Sequence, residues 1–428
     1  MKTEGYKSTE ESAQIRRAFF WNMLSTVTYA SMSFLMLLAV VRICGTERGG
    51  VFSIAFSTSQ MLQTAAFFGM RNFQATDINR RFLFSHYNSS RLITSLLMAA
   101  CCLLYAFFMR FEGEKLAVFL LFCGVKLCEA LADVLEGMMQ QHNRLDRASQ
   151  ALFLRTLLII AVFIAALLAG LPLAAASLFS LLAAAAGLLL FSFLPARKYE
   201  PVSLSPDIRA VSRLLLECLP LFAAAASWAY LTNAPKIAID LNMNDQAQAE
   251  FAIIFMPAML INMFSGFVFR PLLNTMAVCF VSGDKKRFSG LIRRLVWMDT
   301  GVTLLALAGT WLLGIPILNW VYGVDISHLK GELLLIILGG GGCALVNLLC
   351  QTLTVIRQQV RILSGYLLTT ALTLAASNLL VKNEGIWGAA LLYFLSMALL
   401  ALILLILYAG SMKKFYTPSQ NETEVKNG

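Results

Sequence analysis

The sequence predicts an all-α integral membrane protein with twelve transmembrane helices, arranged as two parallel-repeat bundles of six helices each. Three observations lead to this fold class: an apolar composition, a series of long apolar segments, and basic residues confined to alternate loops. Of the 428 residues, 58% are hydrophobic and 14% are charged, and the mean hydropathy is +0.72. A soluble domain of this length needs much more polar surface, so a membrane protein is the predicted class.

Twelve apolar segments are long enough to cross a bilayer, which requires about 20 residues. They are 18–41, 50–70, 91–109, 116–139, 148–169, 174–194, 214–239, 250–275, 291–313, 332–356, 361–381 and 386–408. Gly170 and Pro172 separate the fifth segment from the sixth. The first segment lacks a small-residue cleavage site, so we expect no cleavable signal peptide.

The basic residues test this topology independently, because cytoplasmic loops of membrane proteins are enriched in Lys and Arg. Most of the 34 Lys and Arg residues fall in the predicted cytoplasmic loops and at the span ends that face them, Arg91 among them. The predicted external loops hold only Arg42, Arg48, Arg110, Lys115, Lys330 and Lys382. The alternation predicts a multi-pass protein of the cytoplasmic (inner) membrane with both termini in the cytoplasm.

Several other classes of function are disfavoured by the sequence. The net charge of +10 follows from the bias toward cytoplasmic Lys and Arg, so no nucleic-acid partner is needed to explain it. The nine cysteines show no metal-binding spacing and are predicted to be packing residues. The run of four glycines at 339–342 follows no strand and lacks a GKS/T ending, so it favours close helix packing or a hinge over nucleotide binding. We expect neither a metal nor a cofactor.

The longest predicted cytoplasmic connection, 195–213, contains Pro and Ser and divides the spans into six and six. The predicted organisation is a cytoplasmic N-terminus (1–17), an N-lobe (18–194), this linker, a C-lobe (214–408) and a disordered cytoplasmic tail (409–428). Internal repeats are common in transporters, which makes a duplication worth seeking.

Two ungapped alignments support a parallel repeat. Residues 51–71 align with 250–270, which places Phe52, Ile54, Phe56 and Arg71 on Phe251, Ile253, Phe255 and Arg270. The fourth span of each half also aligns, which places Lys126, Glu129, Asp133 and Glu136 on Ala344, Asn347, Gln351 and Thr354. The charged positions of one half therefore meet mostly polar positions in the other.

The fourth predicted span carries Lys126, Glu129, Asp133 and Glu136 at spacings of 3, 4 and 3 residues. Such spacing places them on one helix face, which cannot face lipid because each charge is costly there. The acids could share a proton, pair with Lys126 or meet Arg155 on the next span. A group of this kind can carry a proton or a monovalent cation; the alternative is a buried ion-pair network that only orients the helix.

A second set of residues inside the predicted spans is cationic. Lys236 follows Pro235 in the seventh span, where proline loosens the helix, as is common in helices that line cavities. It could instead pair with Asp240 or extend to the interface. Arg71, Arg155 and Arg270 lie toward cytoplasmic span ends, and Arg suits phosphate oxygens because its planar fork donates two parallel hydrogen bonds.

These features resemble the polysaccharide-biosynthesis branch, the O-antigen and capsule repeat-unit flippases, of the multidrug/oligosaccharidyl-lipid/polysaccharide exporter (MOP) superfamily. The resemblance rests on "GMRNFQATD" (69–77), "EGMMQQHNRLDRAS" (136–149) and "NAPKIAIDLNMNDQAQAEFAIIFMPA" (233–258), loose patterns spread over most of the chain. It implies a V-shaped pair of bundles, as in MATE transporters, around a cationic cavity. The "PK" at 235–236 departs from the Pro-Arg that many relatives carry.

The resemblance implies a non-enzymatic flippase that moves an undecaprenyl-pyrophosphate-linked oligosaccharide to the outer leaflet, driven by an H⁺ or Na⁺ gradient. We expect Arg71, Lys236 and Arg270 to bind the pyrophosphate, with Arg155 as a further candidate. Glu129 and Asp133 are expected to bind the coupling ion, in a set that includes Glu136 and Lys126. Membrane lipids and polysaccharide-assembly proteins are the other expected partners. The alternative is a cation/drug antiporter of the same fold. An enzyme is disfavoured because the longest predicted external loop, 314–331, is short and no catalytic triad, metal ligand set or nucleotide loop occurs.

Overall fold

The computed structural model describes residues 2–77, 80–282 and 284–416 of the chain. Within these ranges it leaves out the side chains of residues 2–13, 72, 76, 260, 262–274, 277, 281 and 413–416. The described backbone consists of helices and connecting loops, and it contains no strand. This confirms the predicted all-α class.

The helices are long because they form from long apolar segments that contain few helix-breaking residues. The chain up to residue 196 forms α1 (Lys2–Cys44), α2 (Thr46–Phe67), α3 (Met70–Thr76), α4 (Phe84–Phe108), α5 (Gly113–Gln141), α6 (Leu145–Leu168), α7 (Leu173–Gly187) and α8 (Leu194–Ala196). A π-helical segment, Leu188–Phe193, joins α7 to α8. Gly170 has a φ of 77° between α6 and α7, a conformation that glycine adopts without strain, as the predicted break at this position requires.

The rest of the chain forms α9 (Ile208–Asn242), α10 (Asp245–Val281), α11 (Lys285–Gly309), α12 (Ile315–Tyr322), α13 (Lys330–Val355) and α14 (Gln359–Tyr416). Gly385 interrupts α14 with φ 59° and ψ −133°, so two helices meet there. The break falls between the predicted spans 361–381 and 386–408. In the residues described after 408, α14 continues to Tyr416, which differs from the predicted disorder of the tail; residues 417–428 lie outside the described part.

The chain divides into two compact units. The first contains residues up to Ala229 together with Asn244–Glu250, and the second contains Tyr230–Met243 and the chain from Phe251 onward. In the first unit, α5 packs against α2, α3, α4, α6 and α7 and therefore lies at its centre. In the second unit, α13 packs against α11 and α14.

The glycine run of α13 allows close packing in the second unit. A Cβ atom on Gly341 would lie 2.4 Å from the Thr303 side chain, and one on Gly339 would lie 2.6 Å from Tyr393. Contacts this short leave no room for a larger residue, so the run supports close helix packing, as predicted.

Helix α4 shows the inside-out polarity that is typical of a membrane protein. Its exposed positions carry Leu103 and Phe107, which are 62% and 77% exposed. Its buried positions carry Arg91 and Thr94, which are 0% and 2% exposed. A helix of a soluble protein has the opposite arrangement. Exposing apolar side chains to water is unfavourable, and so is burying polar groups that have no partners. This surface is suited to a lipid environment.

By length and composition, eight helices in the described part of the chain can cross a membrane, which makes the protein a multi-pass membrane protein. One of them, Gln359–Met412, contains two predicted spans. The predicted spans 50–70, 116–139 and 250–275 lie in α2, α5 and α10, which are not among the eight. For α5 the reason is its charge, since this helix contains six Asp, Glu and Lys residues. The count of twelve and the two six-helix repeats stay predictions.

The predicted linker is tied to the first unit by polar contacts. Its non-helical part lies between the end of α8 and the start of α9. Glu200 accepts from His142 at 2.8 Å and lies 3.3 Å from the Arg80 guanidinium. Asn88 donates to the Ser203 carbonyl at 3.0 Å. These contacts hold the segment against the loops that follow α3 and α5 and against the N-terminal part of α4.

Candidate functional site

The charged face of α5 lies inside the first unit. Lys126 is 0% exposed, and Glu129 and Glu136 are each 4% exposed. The Asp133 side chain is 18% exposed. This burial follows from the central position of α5, because neighbouring helices cover the face on which the 3-4-3 spacing places these residues. Each acid is matched with cationic or hydrogen-bonding partners, which form three clusters along the helix.

The first cluster surrounds Glu129. The Lys126 ammonium lies 3.1 Å from both carboxylate oxygens, in an i,i+3 ion pair. Tyr29 on α1 and Gln63 on α2 each donate to Oε2 at 3.0 Å. The Lys126 ammonium also lies over the Phe56 ring, 4.5 Å from its centroid. Three donors therefore surround one carboxylate, an arrangement that stabilises its charged form in a buried site.

The second cluster joins three helices at Asp133. Arg91 of α4 donates to Oδ2 at 2.7 Å, and Arg71 of α3 donates to Oδ1 at 3.1 Å. Arg71 also donates to the Asp133 carbonyl at 2.6 Å and to Gln140 at 3.2 Å. The Arg91 side chain is 0% exposed, whereas the Arg71 side chain is 26% exposed. One carboxylate thus holds two guanidinium groups, of which only Arg71 has substantial exposure.

The third cluster is a buried pair between Glu136 and Arg155 of α6. The guanidinium donates to the carboxylate at 2.5 Å and to Ser192 at 2.9 Å, and the Ser192 hydroxyl donates to the same carboxylate at 3.2 Å. Gly187 of α7 lies directly against Arg155, since a Cβ atom there would be 2.8 Å from the Arg155 Cγ. Arg155 is 2% exposed and occupies a packed position.

Together the clusters contain three carboxylates and four cations. The described contacts join each carboxylate to a cation, and none joins two carboxylates. Of the three predicted arrangements, the structure has the pairing of Glu129 with Lys126 and the meeting of Glu136 with Arg155. With every carboxylate ionised, the network keeps one positive charge, located at the Asp133 cluster.

The second unit contains a buried cation, Lys236. Lys236 lies in α9 and is 4% exposed, and its ammonium lies 5.2 Å from the centroid of the Phe255 ring. No carboxylate in the described part of the chain, Asp240 included, lies within ion-pair distance of this ammonium. The pair with Asp240 is therefore not found among the described contacts, and extension to the interface stays a prediction. A buried ammonium without an ionic partner is energetically unfavourable, which makes Lys236 a candidate binding residue.

Arg270 lies in α10, and its side chain is outside the described residues, so its role stays a prediction. The nine cysteines are free thiols. In the described part of the chain, no group of three or more His, Cys, Asp or Glu side chains could hold a metal ion.

The profile of the family described as "Polysaccharide biosynthesis protein" matches residues 15–273, which is more than half of the chain. The chain belongs to this family. The matched region contains the three clusters of α5 and Lys236. A search of the curated proteins finds no match.

This polysaccharide biosynthesis protein has the fold of solved MOP-superfamily transporters. It is similar to the lipid II flippase MurJ in an inward closed conformation, with 12% identity, a TM-score of 0.70, and coverage of 92% of this chain and 90% of that one. It is similar to an inward-facing multidrug resistance MATE family transporter, with 14% identity, a TM-score of 0.68, and coverage of 90% and 95%. A MOP-superfamily transporter from Pyrococcus furiosus has 14% identity, a TM-score of 0.57 and coverage of 95% and 96%. The identities are low, so these likenesses establish the fold alone.

Four partners of the α5 face in this family member are not predicted by the sequence pattern: Tyr29, Gln63, Arg91 and Ser192. Arg91, which belongs to the predicted cytoplasmic set, lies fully buried in the second turn of α4. A signal was present, because Ser90, Arg91, Thr94 and Ser95 follow helical spacing and form one polar face in an otherwise apolar segment. Such a face inside a span indicates buried polar contacts.

Proposed function

We propose that this protein moves a polyprenyl-pyrophosphate-linked oligosaccharide from the inner to the outer leaflet of the cytoplasmic membrane by alternating access. The observation that carries the proposal is the excess of positive charge inside the protein. The α5 network has one more cation than carboxylates, and Lys236 lies buried beside Phe255 without a described carboxylate partner. Membership in the polysaccharide biosynthesis family supports the substrate class, and a lipid II flippase among the structures of similar fold supports the mode of action.

The chemistry of such a substrate fits these positions. A polyprenyl chain is apolar and can stay in lipid during transfer, whereas the pyrophosphate and the sugars need a polar route. Guanidinium and ammonium groups form charge-assisted hydrogen bonds with phosphate oxygens. Arg71, Lys236 and Arg270 are the proposed pyrophosphate ligands. Arg155 is the weaker candidate, because its guanidinium is already bonded to Glu136 and Ser192.

The proposed driving force is an H⁺ or Na⁺ gradient that acts on the α5 face. Glu129 is the preferred coupling residue, since its charge depends on Lys126, Tyr29 and Gln63, and an arriving cation would compete with the Lys126 ammonium for the carboxylate. Asp133 and Glu136 complete the proposed set. Both termini are proposed to lie in the cytoplasm, and membrane lipids and polysaccharide-assembly proteins are the proposed partners.

Deletion of the gene is expected to abolish the surface polysaccharide and to leave lipid-linked repeat units on the inner leaflet. Arg71→Ala and Arg270→Ala are each expected to lower export by about tenfold or more, because a lost charge-assisted hydrogen bond costs about 1.5–3 kcal/mol. Export is measured by complementation of the deletion with equal amounts of folded protein in the membrane.

Arg213→Ala serves as the matched control. Arg213 is a largely exposed residue paired with Glu217 in α9, and its loss is expected to leave export unchanged. Full export by both Arg71→Ala and Arg270→Ala would refute the pyrophosphate assignment. Unchanged polysaccharide in the deletion strain, together with altered tolerance to cationic drugs, would instead identify a cation/drug antiporter.

Glu129→Gln is expected to uncouple transport from its gradient. The amide keeps the shape and can still accept from Tyr29 or Gln63, but it cannot bind or release a cation as a carboxylate does. Flipping in proteoliposomes by this variant should no longer change when the proton or sodium gradient is collapsed. Glu114→Gln, which alters an acid at the start of the same helix that pairs with Arg48, is the control. A normal gradient response in Glu129→Gln would eliminate its coupling role.

A further inference from the structure

Arg91 has no role in the proposed function, yet it is fully buried and contacts two helices besides its own. It lies in α4, donates to the Ala66 carbonyl of α2, and pairs with Asp133 of α5 at 2.7 Å. We propose that Arg91 is a positioning residue, which holds Arg71 and keeps its positive charge available for an anionic pyrophosphate head group. This inference rests on the proposed role of Arg71.

The backbone that carries Arg71 begins with a turn at the end of α2. Helix α2 ends at Phe67, and Phe68 and Gly69 follow with φ of 50° and 67°, so two successive left-handed residues turn the chain into α3. The last carbonyls of a helix lack intrahelical donors. Arg91 and Thr94 both donate to the Ala66 carbonyl, Thr94 at 2.8 Å. A cation at this end also interacts favourably with the helix dipole, so Arg91 stabilises the turn that places Arg71 two residues later.

The carboxylate that Arg71 contacts is also bound by Arg91. Arg91 occupies Oδ2 of Asp133, and Arg71 uses Oδ1 and the backbone carbonyl of the same residue. The Arg91 fork thus connects the end of α2 with the middle of α5 by separate N–H groups. A lysine at this position, with its single ammonium on a flexible stem, does not reproduce the rigid fork. Arg91 therefore fixes both the backbone before Arg71 and the acceptor of its guanidinium.

Arg91 also determines the net charge of the group that it forms with Asp133 and Arg71. Asp133 alone would neutralise Arg71 and remove its attraction for an anion. With Arg91 on the other carboxylate oxygen, the group of three carries one positive charge in total. Arg91 is 0% exposed and Arg71 is 26% exposed, so an anion reaches the group through Arg71. The second arginine thus makes a salt-bridged Arg71 compatible with phosphate binding.

The test uses purified full-length protein in detergent and geranylgeranyl pyrophosphate as the probe, with geranylgeraniol as the probe that lacks the pyrophosphate. We expect Arg71→Gln to weaken pyrophosphate binding by about tenfold or more, as for the loss of a charge-assisted hydrogen bond. Arg91→Gln is expected to weaken it by a similar factor, and Arg71→Gln/Arg91→Gln to be no weaker than Arg71→Gln alone. Geranylgeraniol binding should be unchanged in all variants.

Thr94→Val is the matched control, because Thr94 donates to the same Ala66 carbonyl without contacting Asp133. It is expected to keep nearly full affinity. If Arg91→Gln does not fold, Arg91→Lys retains the charge and should give an intermediate loss. Wild-type affinity in Arg91→Gln or Arg91→Lys, or independent and additive losses in the double variant, would overturn the proposal.

Amide hydrogen exchange over residues 64–74 provides a readout that does not depend on the ligand. We expect faster exchange there in Arg91→Gln than in wild type or Thr94→Val, because the turn before Arg71 has lost its bridge to Asp133. Unchanged exchange would overturn the positioning role even if binding falls. If Arg71→Gln binds the probe normally, the pyrophosphate assignment fails, and faster exchange in Arg91→Gln would still support the positioning of Arg71.

Discussion

Replacement of Arg155 by methionine is expected to destabilise the first unit by about 3–5 kcal/mol, because it leaves the Glu136 carboxylate buried without its cation. The pair is 2.5 Å apart, and the two side chains are 2% and 5% exposed. Ser192 remains as a donor to the carboxylate, but a hydroxyl does not neutralise its charge. The unfolding temperature of the purified protein in detergent and the fraction that elutes as a monodisperse species measure the effect.

The paired variant Arg155→Met/Glu136→Gln is expected to recover most of the lost stability, since a buried ion pair can be replaced by neutral groups at little cost. Arg213→Met is the control for loss of a surface ion pair, and its effect should stay within about 1 kcal/mol. If the paired variant recovers stability and exports normally, Arg155 is not a pyrophosphate ligand. If Arg155→Met alone is as stable as wild type, Glu136 needs no cationic partner.

The sequence predicted those parts of this architecture that depend on local pattern. Long apolar segments gave the helices, and Gly170 with Pro172 gave the break between α6 and α7. The spacing of Lys126 and Glu129 placed them within reach on one helix face, and this pair forms. Hydropathy alone does not identify the central helix of the first unit, because α5 carries the ionisable residues that contact its neighbours.

The partners from other helices were harder to predict, because they depend on packing between segments far apart in the chain. The spacing on α5 leaves Arg155 as one of several possible partners for the acids, and the position of Arg91 near a span end places it in the predicted cytoplasmic set. Arg91 and Asp133 are 42 residues apart in sequence, and only the packing of α4 on α5 brings them together. Periodicity identifies a buried polar face, but it does not identify the helix that the face contacts.

The two units differ in the partners of their buried charged side chains. In the first, each acid of α5 has a cation, and breaking a pair is expected to cost stability. In the second, the Lys236 ammonium has an aromatic ring, Phe255, but no carboxylate partner in the described part of the chain. A cation–π contact compensates only part of the cost of burying an ammonium. The buried Lys236 ammonium is therefore expected to lower the stability of the second unit, and a role in binding an anion would explain why it is present.

Lys236→Met is therefore expected to abolish most transport without loss of stability. Methionine fills a similar volume and keeps the contact with Phe255, while the cost of the buried charge disappears, so the unfolding temperature should stay the same or rise. Export should fall by about 10- to 100-fold, because the proposed phosphate contact is lost where water cannot replace it. Lys236→Arg should retain part of the activity, since it keeps the charge.

Lys330→Met is the matched control within the second unit. Lys330 also lies over an aromatic ring, with its ammonium 4.8 Å from the Trp311 centroid, but it is exposed at the start of α13. Its replacement should change neither export nor the unfolding temperature appreciably. Lower stability and lower export together in Lys236→Met would indicate a structural role for the contact with Phe255. Wild-type export would show that the buried ammonium does not bind the substrate, whereas a stable, inactive protein is the result that a pyrophosphate ligand requires.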